Sequence, residues 1–393
     1  MTISLRVELS HRHSWNSEVR AVFKVVLVPE KRAPATGFHY ILLLDVSPSM
    51  EGQKIETAKA ATIELLRRIP QGNRATLITF CNEIIPVGEY QDPEYLIPLV
   101  ADVRICEGTA LLSALKYAVT VAESYGPPGF IVLLTDGQPT DVYPFNAGLQ
   151  LPNDYFSVFN QFRDQILSQF NSIQIPKGFK VVAFGIGNDY IESVLALLAD
   201  KTGGFVQHVD DPSQIEDYLP QLAIRETSGK DVRVEIDSRG KVRLVNYQGP
   251  PVEIGALEGV VKIYGEVTMP PLFSGTLMTV RAKYQDPVTG REEVLERKVD
   301  VSPASDRASF LAGINGDLVN EYNYYSLMAK LLTQLSSNDL AGATRTMQQM
   351  EQLAQQTKRL DLIESTRKLQ EGLRGDPDTA TKRLTSEVTK RMR

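Results

Sequence analysis

Asp45, Ser47 and Ser49 follow the apolar run Ile41–Leu44 at every second position. A run of that kind suits a buried strand. A buried strand has no use for a carboxylate and two hydroxyls at its end unless the next turn aims them at something. Two other stretches offer the same kind of atom. Thr109 follows Gly108 at the head of an apolar-periodic segment, and Asp136 stands between Thr135 and Gly137 after the run Phe130–Leu134. Together these are two carboxylates and three hydroxyls, hard oxygen donors with no thiolate and no imidazole among them. Zinc, copper and iron favour softer or nitrogen ligands. A small hard cation, octahedral at about 2.0–2.1 Å and keeping some of its water, suits so sparse a set. Two carboxylates come close to neutralising a divalent ion and leave it attraction for one more anionic ligand.

The elements that must position these residues can be read from periodicity. Near-continuous apolar strands are expected at 39–45, 73–81, 129–136, 179–187 and 204–209. Helical patterns alternate with them at 52–69, 108–125, 156–173, 191–203 and 213–225. That alternation predicts a doubly wound α/β domain with a mainly parallel, Rossmann-like sheet covered on both faces. Ligands of such sheets sit beyond the carboxyl ends of the strands, where the strand order reverses. Asp45 and Asp136 are expected there.

Outside this region the period changes. Segments SLRVELS and AVFKVVLV near the start, and five strand-like stretches within 228–303, alternate apolar and polar residues as half-buried antiparallel strands do. Two isolated strands are marginal. The strands of 1–36 and 228–304 are therefore expected to form one antiparallel β-sandwich, into which the α/β domain, 37–227, is inserted. Asp286-Pro287-Val288-Thr289-Gly290 reads as a hairpin turn between two of its strands. A helical segment, 305–393, follows, with helices expected at 318–335, 338–356, 358–373 and 377–391. Ser337-Asn338-Asp339 and Asp376-Pro377-Asp378 supply start signals.

Composition narrows the function. The net charge of −6 over 393 residues provides no general basic field for nucleic acid. The last twenty residues are locally basic, through Arg374, Lys382, Arg383, Lys390, Arg391 and Arg393, and read as a solvated helix face. No apolar stretch approaches the roughly 18 residues of a membrane helix, so no membrane insertion is expected. The start of the chain does not read as a secretory leader. The two cysteines, Cys81 and Cys106, form no disulfide framework. They are expected as buried or half-buried thiols in a reducing, cytoplasmic compartment, with a single bridge left open.

The Asp-x-Ser-x-Ser at 45–49, the Gly108-Thr109 opening a helix and the Thr135-Asp136-Gly137 closing a strand resemble the von Willebrand factor type A domain. FGIGND at 184–189 and LALLADKTGGFVQHVDDPSQIEDYL at 195–219 resemble its later strands and helices. The resemblance covers roughly 38–225. It implies a metal-ion-dependent adhesion site. Ser47 and Ser49 would be direct ligands, Asp45 the anchor, and Thr109 and Asp136 ligands directly or through water. The cation would be Mg2+, with Mn2+ or Ca2+ as alternatives, and its free position would take an Asp or Glu from a protein partner. The implied function is a non-enzymatic interaction module or scaffold. A departure is Glu107, where many members carry Gly; its side chain is expected to face solvent. The alternative is a hydrolase that uses the same cation to activate water, with Glu51 or Glu107 as base. An aspartyl phosphotransferase would need a second Asp where Ser47 stands.

Overall fold

The computed structural model describes residues 2–126, 128–149, 155–224, 226–337, 339–372 and 377–392. It divides into two compact units, one of residues 34–226 and one of residues 1–33 with 227–393. In chain order the first strands are β1 (Ile3–Leu9), β2 (His13–Ser14), β3 (Val19–Pro29) and β4 (Ala33–Pro34). The central unit then holds β5 (His39–Asp45), α1 (Gln53–Arg68), β6 (Arg74–Phe80), β7 (Ile84–Gln91), α2 (Pro93–Ala101) and α3 (Leu111–Tyr125). It continues with β8 (Gly129–Thr135), α4 (Tyr155–Asn171), β9 (Phe179–Ile186), α5 (Glu192–Thr202), β10 (Phe205–Val209) and α6 (Gln214–Tyr218).

The six strands of the central sheet run in the order β10-β9-β8-β5-β6-β7. All neighbours are parallel except β7, which pairs antiparallel to β6. From β5 the chain winds outward to β6 and β7, then returns to the other side of β5 to build β8, β9 and β10. The order therefore reverses between β5 and β8, the strands that end in Asp45 and Thr135. Every residue of β5 and of β8 is buried. Ile41, Leu43, Ile78, Phe80, Ile131 and Leu133 form one apolar face with α3, α4 and α5. The intervening Leu42, Leu44, Leu77, Val132 and Leu134 are buried too, as period-two alternation in a sheet covered on both faces requires.

The structure departs from the sequence pattern at several points here. The segment 108–125 begins its helix only at Leu111, because Gly108, Thr109 and Ala110 form the turn before it. The last segment stops as a helix at Tyr218 and tightens into a short 3-10 turn, Leu219–Leu222, around Pro220. β7 and α2 went unread. Pro86 and Gly88 break the alternation of an edge strand, and Pro93 and Pro98 obscure the helix. The β6–β7 ladder also slips register twice, between Ala75 and Leu77 and between Leu77 and Ile78.

In the other unit the strands are β11 (Glu226–Thr227), β12 (Lys230–Ser238), β13 (Val242–Leu244), β14 (Val252–Ala256), β15 (Val261–Met269), β16 (Gly275–Gln285) and β17 (Glu292–Pro303). Of these, β12 to β17 join β1, β2 and β3 in two sheets, β1-β3-β15-β13 and β14-β12-β16-β17-β2. Residues of both sheets share one apolar core that includes Leu5, Phe23, Val25, Val234, Ile263 and Val280. The fold is thus an α/β unit inserted in an antiparallel β-sandwich. The hairpin between β16 and β17 turns at Asp286, whose Oδ1 accepts from the N–H of Val288 at 2.8 Å and of Thr289 at 3.1 Å. Gly290 closes it with φ of 68°.

Five helices follow, α7 (Arg307–Ala312), α8 (Gly316–Ser336), α9 (Leu340–Thr357), α10 (Leu360–Gly372) and α11 (Pro377–Arg391). Asp339 caps α9 by accepting from the N–H of Gly342 at 2.8 Å. Asn338, Arg374, Asp376 and Arg393 lie outside the described residues. Tyr324, Met328, Leu331, Met347, Met350, Leu369, Leu384 and Val388 form a core among α8, α9, α10 and α11. The basic tail is not a solvated face. Lys382 is buried, and burial pushes the Lys390 ammonium below its usual range.

One charged group ties α8 to the sandwich. Glu321 on α8 leaves only 4 % of its side chain exposed and meets Lys24 of β3 at 3.1 Å. Lys262 of β15 lies 3.5 Å from it, Arg359, just before α10, lies 3.1 Å from it, and the Tyr264 hydroxyl donates to it at 2.6 Å. One carboxylate thus gathers partners from two strands and the α9–α10 turn.

Candidate metal centre

Asp45 is the last residue of β5 and wholly buried. Its Oδ1 accepts from the Ser47 N–H at 2.9 Å, which curls the chain tightly after the strand. Its Oδ2 accepts from the Thr135 hydroxyl at 2.5 Å, so the ends of β5 and β8 are joined through the carboxylate. The next residues make one 3-10 turn, Pro48–Met50, closed by the Met50 N–H donating to Ser47 O at 3.0 Å. That turn brings the Ser47 and Ser49 hydroxyls to 3.1 Å from each other. Ser49 in turn donates to Asp136 Oδ1 at 2.7 Å. Asp136 is also fully buried, and its Oδ2 pairs with the Lys54 ammonium.

Thr109 arrives from a third direction. Its N–H donates to the Thr140 hydroxyl at 3.1 Å, and the Thr140 N–H donates back to its carbonyl at 2.9 Å. A Cβ built on Gly137 would lie 3.1 and 3.3 Å from Thr109 Cγ2 and Oγ1 and 3.2 Å from Asp45 Oδ2. Thr109, Asp45 and the turn after Asp136 therefore surround one small space that a side chain at 137 would enter.

The loop carrying Thr109 is firmly held. Cys106 N–H donates to Val46 O at 2.9 Å, Ala110 N–H to Cys81 O at 2.6 Å and Asn82 N–H to Glu107 O at 2.7 Å. Gly108 has φ of 81°, and the Asn82 side chain fills the place where a Cβ would go. Asp141 caps α3 by accepting from the N–H of Leu112 at 3.1 Å and of Ser113 at 2.7 Å. Cys81 and Cys106, expected as thiols, are joined in a disulfide. The loop after β6 and the loop before α3 lie side by side, with the two Cα atoms 5.8 Å apart. The bridge spans a sequence separation of 25 and should contribute about 3 kcal/mol by restricting the unfolded chain. Urea unfolding of the protein with Cys81→Ser and Cys106→Ser is expected to show that loss. An unchanged midpoint would contradict it.

The electrostatics suit a cation. Burial pushes Asp45 up to about 6, against the pull of its hydrogen bonds from Ser47 and Thr135, and the neighbouring Asp136 adds to the rise. Two buried carboxylates share one ammonium, that of Lys54, and a hard divalent ion would supply the positive charge they still lack. Among the described residues no group of three or more His, Cys, Asp or Glu could hold a metal. Here hydroxyls complete the donor set. The donors fit a hard cation.

The structure therefore brings Asp45, Ser47, Ser49, Thr109 and Asp136 to one edge of the sheet. Glu107 is exposed, as expected. Sequence reading missed Lys54, Thr140 and Asp141. A lysine in the first turn of a helix, against the helix dipole, was the available signal for the first. Nothing local to Thr140 or Asp141 points to them, since the helix Asp141 caps begins well upstream in the chain.

Comparison with known proteins agrees with this fold. The family model of the von Willebrand factor type A domain matches residues 41–221. Residues 41–221 are a von Willebrand factor type A domain. The model described as "Archaellum regulatory network B, C-terminal domain" matches residues 316–393 of the helical segment. The ArnB paralog VWA2 of Sulfolobus acidocaldarius is similar over the whole chain, with 25% identity, 98% of that chain covered and a TM-score of 0.84. A von Willebrand factor type A protein of Catenulispora acidiphila shares the fold over 96% of this chain and 91% of its own, at 19% identity and a TM-score of 0.66. A curated relative, inter-alpha-trypsin inhibitor heavy chain H4 of Sus scrofa, is 22% identical over 82% of this chain and 33% of its own length. The chain spans less than half the length of the curated relatives it matches. No helix among the described residues is long and apolar enough to cross a membrane.

Proposed function

We propose that Asp45, Ser47, Ser49, Thr109 and Asp136 hold a hard divalent cation, Mg2+ foremost, with Mn2+ or Ca2+ as alternatives. On this reading the chain is a non-enzymatic interaction module or scaffold. The observation that carries it is the meeting of two buried carboxylates and three hydroxyls from three loops at the point where the strand order reverses. Bound there, the cation supplies a Lewis-acidic position for a carboxylate oxygen of a protein partner. The chain's own contribution is to fix the hydroxyls before the partner arrives. Ser47 is set by its N–H on Asp45, Ser49 by its bond to Asp136, and Thr109 by the paired bonds with Thr140. Fixed donors reorganise little on binding, so more of the interaction appears as affinity.

The match of the helical segment to a domain of an archaellum regulatory protein supports a regulatory partner rather than a substrate. Neither nucleic acid nor membrane insertion belongs to this proposal. A cytoplasmic setting does, but without its thiol argument, since Cys81 and Cys106 are bridged and such bridges are commoner in oxidising compartments. The alternative, a metal-dependent hydrolase, needs a base beside the ion. Glu51 and Glu107 are both exposed, which weighs against it.

The test is an affinity pull-down with the full chain, wild type and Asp45→Ala, with Mg2+ or with a chelator. A protein captured by wild type in Mg2+, and lost with the chelator and with the variant, is the expected result. Metal-dependent hydrolysis of a model ester or phosphoester with no partner present would favour the alternative.

A further inference from the structure

We infer that Lys54 is a tethered counter-cation of the metal centre, competing with the divalent ion for Asp136, so that metal uptake requires its release. The inference rests on the metal reading above and concerns how that site is regulated. Asp136 has two carboxylate oxygens and both are engaged, Oδ1 by the Ser49 hydroxyl at 2.7 Å and Oδ2 by the Lys54 ammonium. A Cβ built on Gly187, in the turn after β9, would come no nearer than 4.0 Å to Nζ, so that side of the ammonium is left open and Asp136 is what holds it.

The placement is unfavourable for the helix alone. Lys54 is the second residue of α1, where the exposed N–H groups carry partial positive charge and an acidic side chain would be preferred. The side chain nonetheless turns back to a wholly buried carboxylate and keeps 27% exposure. Attraction to Asp136 therefore outweighs the repulsion of the helix end.

Charge counting gives the consequence. Asp45 and Asp136 together can balance one divalent ion. An ammonium on the same carboxylate adds a third positive charge in a buried space, where repulsion is weakly screened. With Oδ1 taken by Ser49 and Oδ2 by Lys54, the ion and the ammonium compete for the single charge of Asp136. When the ion binds, Lys54 moves toward solvent at the rim, one flexible stem away. There its charge adds to the attraction for an incoming acidic side chain. The centre is thus weak for metal alone and stronger for metal together with an acidic partner.

The experiment is calorimetric titration of the full chain with Mn2+ alone, comparing wild type with Lys54→Met, Lys54→Gln and Lys54→Arg. Circular dichroism checks that each is folded. The two neutral variants are expected to bind Mn2+ about tenfold more tightly than wild type, and the charge-preserving Lys54→Arg to stay within about threefold. Should Lys54→Met fail to fold, Lys54→Gln gives the same reading. If wild type takes up Mn2+ and the neutral variants bind it equally or more weakly, the competition is overturned while the metal site stands. If none of the four takes up Mn2+, both are overturned.

Discussion

Glu321→Gln is expected to destabilise the protein by about 2–3 kcal/mol at neutral pH, although it changes no shape. Removing one partner of a buried ion pair costs about 3–5 kcal/mol, because the remaining charge stays desolvated and unpaired. The lower figure applies here because the cations keep something. Lys24 retains Glu8 at 3.1 Å, Arg359 retains Asp361, and Lys262 is 39% exposed and can rehydrate. The effect should also depend on acid. Burial by itself would raise the Glu321 carboxyl, but the Tyr264 hydroxyl, Arg359 and Lys24 outweigh it and hold it down at about 2, from an ordinary 4.5. A depressed carboxyl contributes stability that is fully present above its unfolded value and lost as pH falls through its folded one. The gap between wild type and variant should therefore be full above about pH 5 and close between pH 4.5 and 2. Thermal unfolding of both proteins across that range measures it. Equal midpoints at pH 7 would show that the cations do not need this carboxylate.

Ser47→Ala is expected to weaken uptake of Mg2+ by about 10–100-fold while hardly altering stability. The hydroxyl lies 3.1 Å from that of Ser49 and beside two buried carboxylates, where a hard cation needs every oxygen. The turn itself is held by the Ser47 N–H on Asp45, which alanine keeps. The folded structure should therefore survive within about 1 kcal/mol. Calorimetric titration gives the first quantity and urea unfolding the second. A variant that binds the ion as well as wild type would remove Ser47 from the centre. A variant that unfolds would show that the hydroxyl serves the fold instead.

Much of this could be read from the residues. The buried strands of the central sheet announce themselves because water excluded from both faces leaves runs such as Ile41–Leu44 and Phe130–Leu134 with no polar interruption. The oxygen donors were legible for the related reason that a polar residue at the end of such a run needs a purpose. What stayed hidden depends on neighbours distant in sequence. Nothing local to Cys81 or Cys106 says that the loops after β6 and before α3 lie together. Nothing near Lys54 points to Asp136, 82 residues away. The edge strand β7 escaped because Pro86 and Gly88 erase the alternation that reveals a strand. The burial of Lys382 escaped because composition alone cannot show which side of a basic helix the other helices cover.

That same β7 restricts how another chain could attach. An open sheet margin normally presents a ladder of free donors and acceptors that a second polypeptide can extend. Here one margin slips register twice and carries an imino acid, which has no hydrogen to give. The opposite margin, β10, is only five residues long. Zippering of an extended peptide onto this sheet is thereby discouraged on both flanks. On the proposed function, recruitment would then fall to the rim of loops at the sheet's carboxyl end, where recognition is by individual side chains rather than by main-chain pairing.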